Sequence, residues 1–303
     1  MVTPTQLEEW IRSNCPFFWS SLSKNAQTTM PRGLVEYAST GTLSEIETGT
    51  DLKAIERYLT ELANICSVRA VRDTYRKEFS GADSANRLAE LFSEIAVCAS
   101  LAALSGNIKL RPATGKGSYS DCFFSLCGFD IFAEVKRYQD PWPHVKKPGD
   151  DPNNDAPYRR SISQRPLAAK STDLARPRSM DLRSKLRDVH RQLPDGTLNI
   201  LFVFHPSLAE PKRYLTQTFF GDANFFNDGG PFVLESDGLF YLNEWSIVSA
   251  CWLARFLPEI GVIFPSMWKN PRAQLEIPVP LLDAIEKMHN EAVHRIADKS
   301  GSR

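Results

Sequence analysis

The chain has 303 residues, 36 Lys and Arg against 36 Asp and Glu, and a hydrophobic content of 42%. That length suits one large domain or two modest ones with a real core, and a formal charge of zero excludes a global basic field for holding nucleic acid. No run of eighteen apolar residues and no N-terminal apolar segment is present, which leaves a soluble, cytoplasmic protein without a membrane partner as the expectation. Six scattered cysteines (Cys15, Cys66, Cys98, Cys122, Cys127 and Cys251) form no CxxC pair, so thiolate metal sites and a disulfide framework are not expected, and Cys122 and Cys127 read as packing residues.

Residues 1–82 read as a helical region. Pro4 to Ser13 suits a short helix, with Phe17, Phe18 and Trp19 as a packing cluster. Helical spacing then runs from Leu43 to Phe79 through Leu52, Ile55, Tyr58, Leu59, Leu62 and Ile65. Residues 83–303 form the second unit, which opens on a strong helix from Ser84 to Leu104, with Ser84 as its cap and Gly106 past its end. On the wheel Glu94 falls among Leu91, Val97, Cys98 and Leu101. An ionised glutamate there needs a cation, either a metal ion or a Lys or Arg at the rim. Glu90 lies one turn earlier.

Ile108 to Leu110 reads as a short strand and Thr114 to Ser118 as a polar loop. Tyr119 to Leu126 and Phe129 to Lys136 follow as two strands rich in aromatic and aliphatic residues. The Cys127-Gly128 gap between them predicts a two-residue hairpin. That turn puts Asp121 directly opposite Glu134, with Lys136 on the same face. Like charges facing each other across a ladder are destabilising, and a hard divalent cation held through oxygen offsets them. The plainer reading makes both carboxylates solvated strand residues and Lys136 a surface ion-pair partner.

Residues 138–180 carry seven prolines and few aliphatics, and form an insertion too long for an ordinary loop. Within it Trp142, Tyr158, Arg159, Arg160, Arg165, Arg176 and Arg178 suit contact with phosphates and bases. From 137 to 193 there are thirteen Lys and Arg against seven Asp and Glu. Met180 to Leu193 predicts a helix with Leu182, Leu186, Val189 and Leu193 on one face and Arg183, Lys185, Arg187 and Arg191 on the other. His190 on that helix reads as structural. Leu198 to Phe204 is a buried strand, apolar throughout. Phe232 to Leu242 reads as a hairpin through Asp237-Gly238, Trp245 to Leu257 as an apolar helix, and Gly261 to Phe264 as a short strand. Trp268 to Pro271 then reads as a turn and Pro280 to Lys299 as an amphipathic helix. The sequence holds no GxGxxG, Walker loop, HExxH or nucleophile elbow.

The order is a helix with a buried Glu, a strand, a strand with Asp121, and a strand with Glu134-Val135-Lys136. Over residues 87 to 138 it resembles the PD-(D/E)XK, or restriction endonuclease-like, nuclease superfamily, with Leu198 to Phe204 as the next core strand. Ser120 stands where the family often has proline. The resemblance implies an α/β fold with a mixed central sheet flanked by helices, and Mg²⁺, or Mn²⁺ in its place, held by Asp121, Glu134, the Val135 carbonyl and Glu94. It implies Lys136 at the attacking water and a helix after the ExK strand whose polar residues, Lys185 and Gln192 here, approach the substrate. The implied activity is endonucleolytic hydrolysis of DNA leaving a 5′-phosphate, with RNA as the other substrate, in restriction, phage defence or repair. Cutting both strands would call for a homodimer. Two alternatives stand beside it: a catalytically silent nucleic-acid-binding or assembly module on the same fold, and an unrelated α/β protein with a chance motif.

Overall fold

A computed structural model of the protein describes residues 3–39, 50–80, 85–138, 182–205, 212–221, 223–224, 233–234, 238–257 and 261–300. Five helices come first: α1 (Pro4–Asn14), α2 (Pro16–Ser21), α3 (Lys24–Ser39), α4 (Thr50–Cys66) and α5 (Val68–Ser80). Thr3 opens α1 with a capping box, exchanging hydrogen bonds with Gln6. The helical spacing expected up to Phe79 is divided at Ser67, whose φ of 126° no helix accommodates and whose hydroxyl accepts the Ala70 N–H at the start of α5.

The long helix α6 (Ala85–Ser105) is buried on nearly every side from Leu91 to Ala99. Its expected cap, Ser84, lies outside the described residues. Gly106 ends it as anticipated, at φ 72°, where its N–H reaches the Ala102 carbonyl. Strands β1 (Lys109–Leu110), β2 (Cys122–Leu126), β3 (Phe129–Arg137) and β4 (Leu198–Phe204) follow. After them come α7 (Lys212–Phe220), the short β5 (Ala223–Asn224) and β6 (Val233–Leu234), then β7 (Ala250–Leu257), β8 (Gly261–Lys269) and α8 (Val279–Ser300).

The main sheet has the order β1-β2-β3-β4-β7-β8. It is parallel only at β3-β4-β7 and antiparallel elsewhere, so the chain is an α/β protein with a six-stranded mixed open sheet flanked by helices. The strand period of two divides the interior into two layers. Ile131, Ala133, Val135, Ile200, Phe202 and Trp252 face a cluster continuous with α6, α8 and the N-terminal helices. Leu201, Val203, Cys251 and Leu253 face a second cluster with α7 and residues 182–193. No helix among the described residues is long and apolar enough to cross a membrane.

Several expected elements differ. Trp245 to Leu257 is not a helix. Residues Asn243–Ile247 make a 3₁₀ turn and Ala250–Leu257 is strand β7, paired in parallel with β4. A strand buried on both faces and a buried helix present the same apolar run, and only the neighbouring strand decides between them. The hairpin expected over Phe232–Leu242 is replaced. Val233–Leu234 pairs with Ala223–Asn224, and Leu239–Tyr241 is a 3₁₀ turn. Of the helix expected from Met180 to Leu193, Met180 and Asp181 lie outside the described residues, 182–186 are helical, and Val189–Gln192 makes a 3₁₀ turn where the helix was expected to continue, with the apolar face buried as expected. Strand β8 runs on to Lys269, through Trp268, where a turn was expected. Cys127 is exposed and does not pack into the core, whereas Cys122 is buried.

The β2–β3 hairpin matches its sequence reading. Cys127 and Gly128 both have positive φ, 54° and 82°, as a two-residue turn of the primed type requires, and Cys122 pairs with Ala133. Gly128→Ala puts a side chain on a left-handed residue and is expected to cost about 1–2 kcal/mol. Urea denaturation of wild type and variant measures it, and Gly128→Asn should lose less.

Candidate active site

Strand β2 begins at Cys122, so Asp121 sits one residue beyond the ladder, at the place where β2 and β3 part. There the two carboxylates take over the backbone pairing. Val135 N–H donates to Asp121 Oδ2 at 2.7 Å, and Asp121 N–H donates to Glu134 Oε2 at 3.2 Å. The hairpin register thus makes Asp121 and Glu134 neighbours, and both are buried. Lys136 Nζ donates to Glu134 Oε1 at 2.6 Å while its side chain stays 32% exposed.

On the other side of Asp121 stands Arg111. The β1–β2 register continues past the ladder, since Arg111 N–H donates to the Asp121 carbonyl at 3.0 Å. Its guanidinium spans two acids, with Nη1 2.8 Å from Asp121 Oδ1 and Nη2 2.6 Å from Glu94 Oε2. Glu94 therefore has the cationic partner its burial demanded, and that partner comes from the strand after its own helix. Glu78 on α5 lies 3.5 Å from the same guanidinium and 2.8 Å from Arg87, which also holds Glu90 at 3.1 Å. Arg111 and Glu78 escaped the sequence reading. The only available signal was that Glu94 needed a cation and that an Arg-Pro pair follows the β1 segment.

Burial, then the Asp121 charge, pushes the Glu134 carboxyl from its ordinary 4.5 up to about 8, against the pull of Lys136. Burial and the Asp121 charge likewise raise Glu94 well above the usual range, with Arg111 opposing. Lys136 is raised although burial acts to lower it, because Glu134 and Asp121 hold its proton. Among the described residues three buried acids thus share Arg111 and Lys136, and burial together with the Asp121 charge favours the protonated forms of Glu94 and Glu134. Glu94 Oε1 is buried without a hydrogen-bond partner.

Among the described residues no group of three or more His, Cys, Asp or Glu side chains is set to hold a metal ion. The ties to Arg111, Lys136 and the backbone account for this, since they divide the three acids between two cations. The donor type is that of a hard divalent ion, carboxylate oxygens with one Glu94 oxygen unpartnered. All four oxygens of Asp121 and Glu134 are engaged by Arg111, Lys136 or a backbone N–H, so an ion there would have to displace those ties, and Arg111 holds Glu94 by its other oxygen.

The segment after the insertion supports the site through its backbone. Ser120 is buried, and its hydroxyl donates to the Gln192 carbonyl at 2.6 Å; Ser118 donates to the Arg191 carbonyl at 2.8 Å. Lys116 pairs with Asp195 at 2.8 Å. The side chains expected to approach a substrate lie along the same segment. Lys185 lies 5.5 Å over the Tyr138 ring, two residues past Lys136. Arg187 is exposed, and Arg191 is exposed with Asp188 at 3.3 Å. His190 meets the Arg187 carbonyl, which fits a structural role. Arg159 and Arg160, with Trp142, Tyr158, Arg165, Arg176 and Arg178, lie outside the described residues. No protein-family model, curated protein or solved structure matches the chain.

Two outcomes follow from this electrostatics. A glutamate whose native pKa is raised binds a proton in the folded state that the unfolded chain has already released. Its stabilising contribution is full below about pH 4.5 and is lost as pH rises through about 8. Metal-free Glu134→Gln should therefore gain stability over wild type toward pH 8, with a flatter profile from pH 5 to 8 in thermal melts. Arg111→Met leaves buried acids without their cation and should cost about 3–5 kcal/mol by chemical denaturation.

Proposed function

We propose that the chain is a divalent-metal-dependent phosphodiesterase of the PD-(D/E)XK type that hydrolyses DNA. The observation that carries this reading is the fork at Asp121, where the Asp121 and Glu134 carboxylates meet at the parting of two strands and Lys136 lies on Glu134. The order of elements supports it too: helix α6 with Glu94, then β1, β2 and β3, then β4 in parallel. The restriction endonuclease-like fold is the finer form of the α/β sheet described above.

Asp121 and Glu134, with the Val135 carbonyl between them, would hold Mg²⁺ or Mn²⁺, and Glu94 would reach it directly or through water. Such an ion polarises a phosphodiester and acidifies water beside it. Lys136 is kept protonated by Glu134 and Asp121, so its first role is that of a donor. From its partly exposed place it holds the attacking water and steadies the charge that grows on the phosphate oxygens. Burial of Asp121 and Glu134 keeps bulk water from competing for their oxygens. Among the described residues after the insertion, Arg183, Lys185, Arg187 and Arg191 supply basic charge suited to a phosphate backbone. Cutting both strands of a duplex would take two copies of the chain.

The second reading, a silent DNA-binding or assembly module, is favoured by the ties that already occupy the three acids. Cleavage assays separate the two. Asp121→Asn and Lys136→Ala should each slow Mg²⁺-dependent cutting of plasmid and linear DNA by at least about 10²-fold. Equal rates for both variants and wild type would remove the site assignment. Wild type that binds DNA and cuts none over a broad substrate panel would establish the silent module.

A further inference from the structure

We propose that Tyr119 is a stacking platform for an unpaired nucleobase, so that the chain prefers a single or splayed DNA strand to an intact duplex. This rests on the DNA-directed reading above and on no metal ion. Among the described residues four large apolar side chains are exposed, Val68, Tyr119, Leu275 and Val279, and Tyr119, at 56%, is the aromatic one. An isolated exposed apolar residue is ordinary on a protein surface. Tyr119 differs in where it stands and in how firmly its backbone is held.

It stands two residues before Asp121 and next to the buried Ser120. The β1–β2 register runs on past the ladder there. Tyr119 pairs with Ala113, and the Ser120 N–H donates to the Pro112 carbonyl at 3.2 Å. On either side of Tyr119 the Ser118 and Ser120 hydroxyls donate to the Arg191 and Gln192 carbonyls, at 2.8 and 2.6 Å. The main chain is thus tied to two segments while the side chain stays in solvent. Such a platform is ordered before a ligand arrives, and a tyrosine has only two torsions left to fix.

The surroundings carry the charge that a phosphate backbone requires. Arg187 and Arg191 are exposed on the segment that receives the two serines, and Lys116 is exposed at the tip of the loop before Tyr119. Lys116 holds Asp195 at 2.8 Å and Arg191 holds Asp188 at 3.3 Å. Ion pairs at the surface are weak, so a phosphodiester can take the place of these aspartates. Gly115 and Gly117 flank Lys116 at φ 79° and 74°, and the place of a Cβ on each is open space, so a phosphate can come up to the main chain there. Cations for the phosphates and an aromatic ring for a base are the two parts of a single-strand surface. The stack itself calls for an unpaired base. In a duplex each base lies between neighbours, and a side chain can take only one that has left the stack.

The test measures fluorescence anisotropy of a labelled oligothymidylate, and of a duplex of the same length, with the full chain in EDTA, where no metal acts and nothing is cut. Wild type should bind the single strand at least about tenfold more tightly than the duplex. Tyr119→Ala should weaken single-strand binding about tenfold, and Tyr119→Trp should keep it. With 5-iodouracil in place of thymine, near-ultraviolet light should crosslink the strand to Tyr119 of wild type, read by mass spectrometry of the peptides. Tyr119→Ala that binds the single strand like wild type, wild type that prefers the duplex, or crosslinks that all fall elsewhere would each overturn the inference and leave the DNA-directed reading standing. Wild type that binds neither DNA would overturn both. The crosslink is read on wild type, so it decides even should Tyr119→Ala not fold.

Discussion

The structure around the candidate site depends on one constraint: three acids are buried where β2 and β3 separate, and among the described residues two cations, Arg111 and Lys136, pair with them. Removing an ionised acid from water is costly unless it is paired and hydrogen-bonded. Nearly every polar contact near the fork answers that cost. Asp121 takes a backbone N–H and a guanidinium nitrogen, Glu134 takes a backbone N–H and an ammonium, and Glu94 takes the other nitrogen of Arg111. One carboxylate oxygen, Glu94 Oε1, is left without a hydrogen-bond partner.

The same constraint explains why the helical N-terminal region belongs to the site's architecture. The apolar cluster under the sheet runs without a break from Leu7 through Phe79 to α6 and α8. Helix α5 brings Glu78 to Arg111 and Arg87, so the outer ion pairs connect those helices to the inner ones. The 189–195 segment supports the site from the other direction, with its carbonyls receiving Ser118 and Ser120. Rigid elements on both sides hold the carboxylates to fixed positions, which is what pre-organised electrostatics requires.

Arg111 and Lys136 differ in the way their chemistry allows. The guanidinium forks between two acids and stays within the fold, whereas the single ammonium of Lys136 remains partly in reach of solvent. One cation is suited to hold the cluster together, and the other keeps a face toward solvent.

The sequence by itself determined the local geometry. A two-residue gap with glycine sets hairpin register, so Asp121 opposite Glu134, and Lys136 on the same side, were legible from Cys127-Gly128 alone. The apolar run of Leu198 to Phe204 and the burial of Glu94 were legible from periodicity. Tertiary structure alone decided the partner of Glu94. Arg111 reaches it because β1 pairs with β2 across the 111–121 connection, whose register no local rule sets. It also decided that Ala250–Leu257 is a strand, since an apolar run buried on both faces takes its form from the neighbour it pairs with. Short-range turns and periods act within a few residues and can be read along the chain, whereas ion pairs and parallel neighbours join segments far apart in sequence and exist only once the core has brought them together.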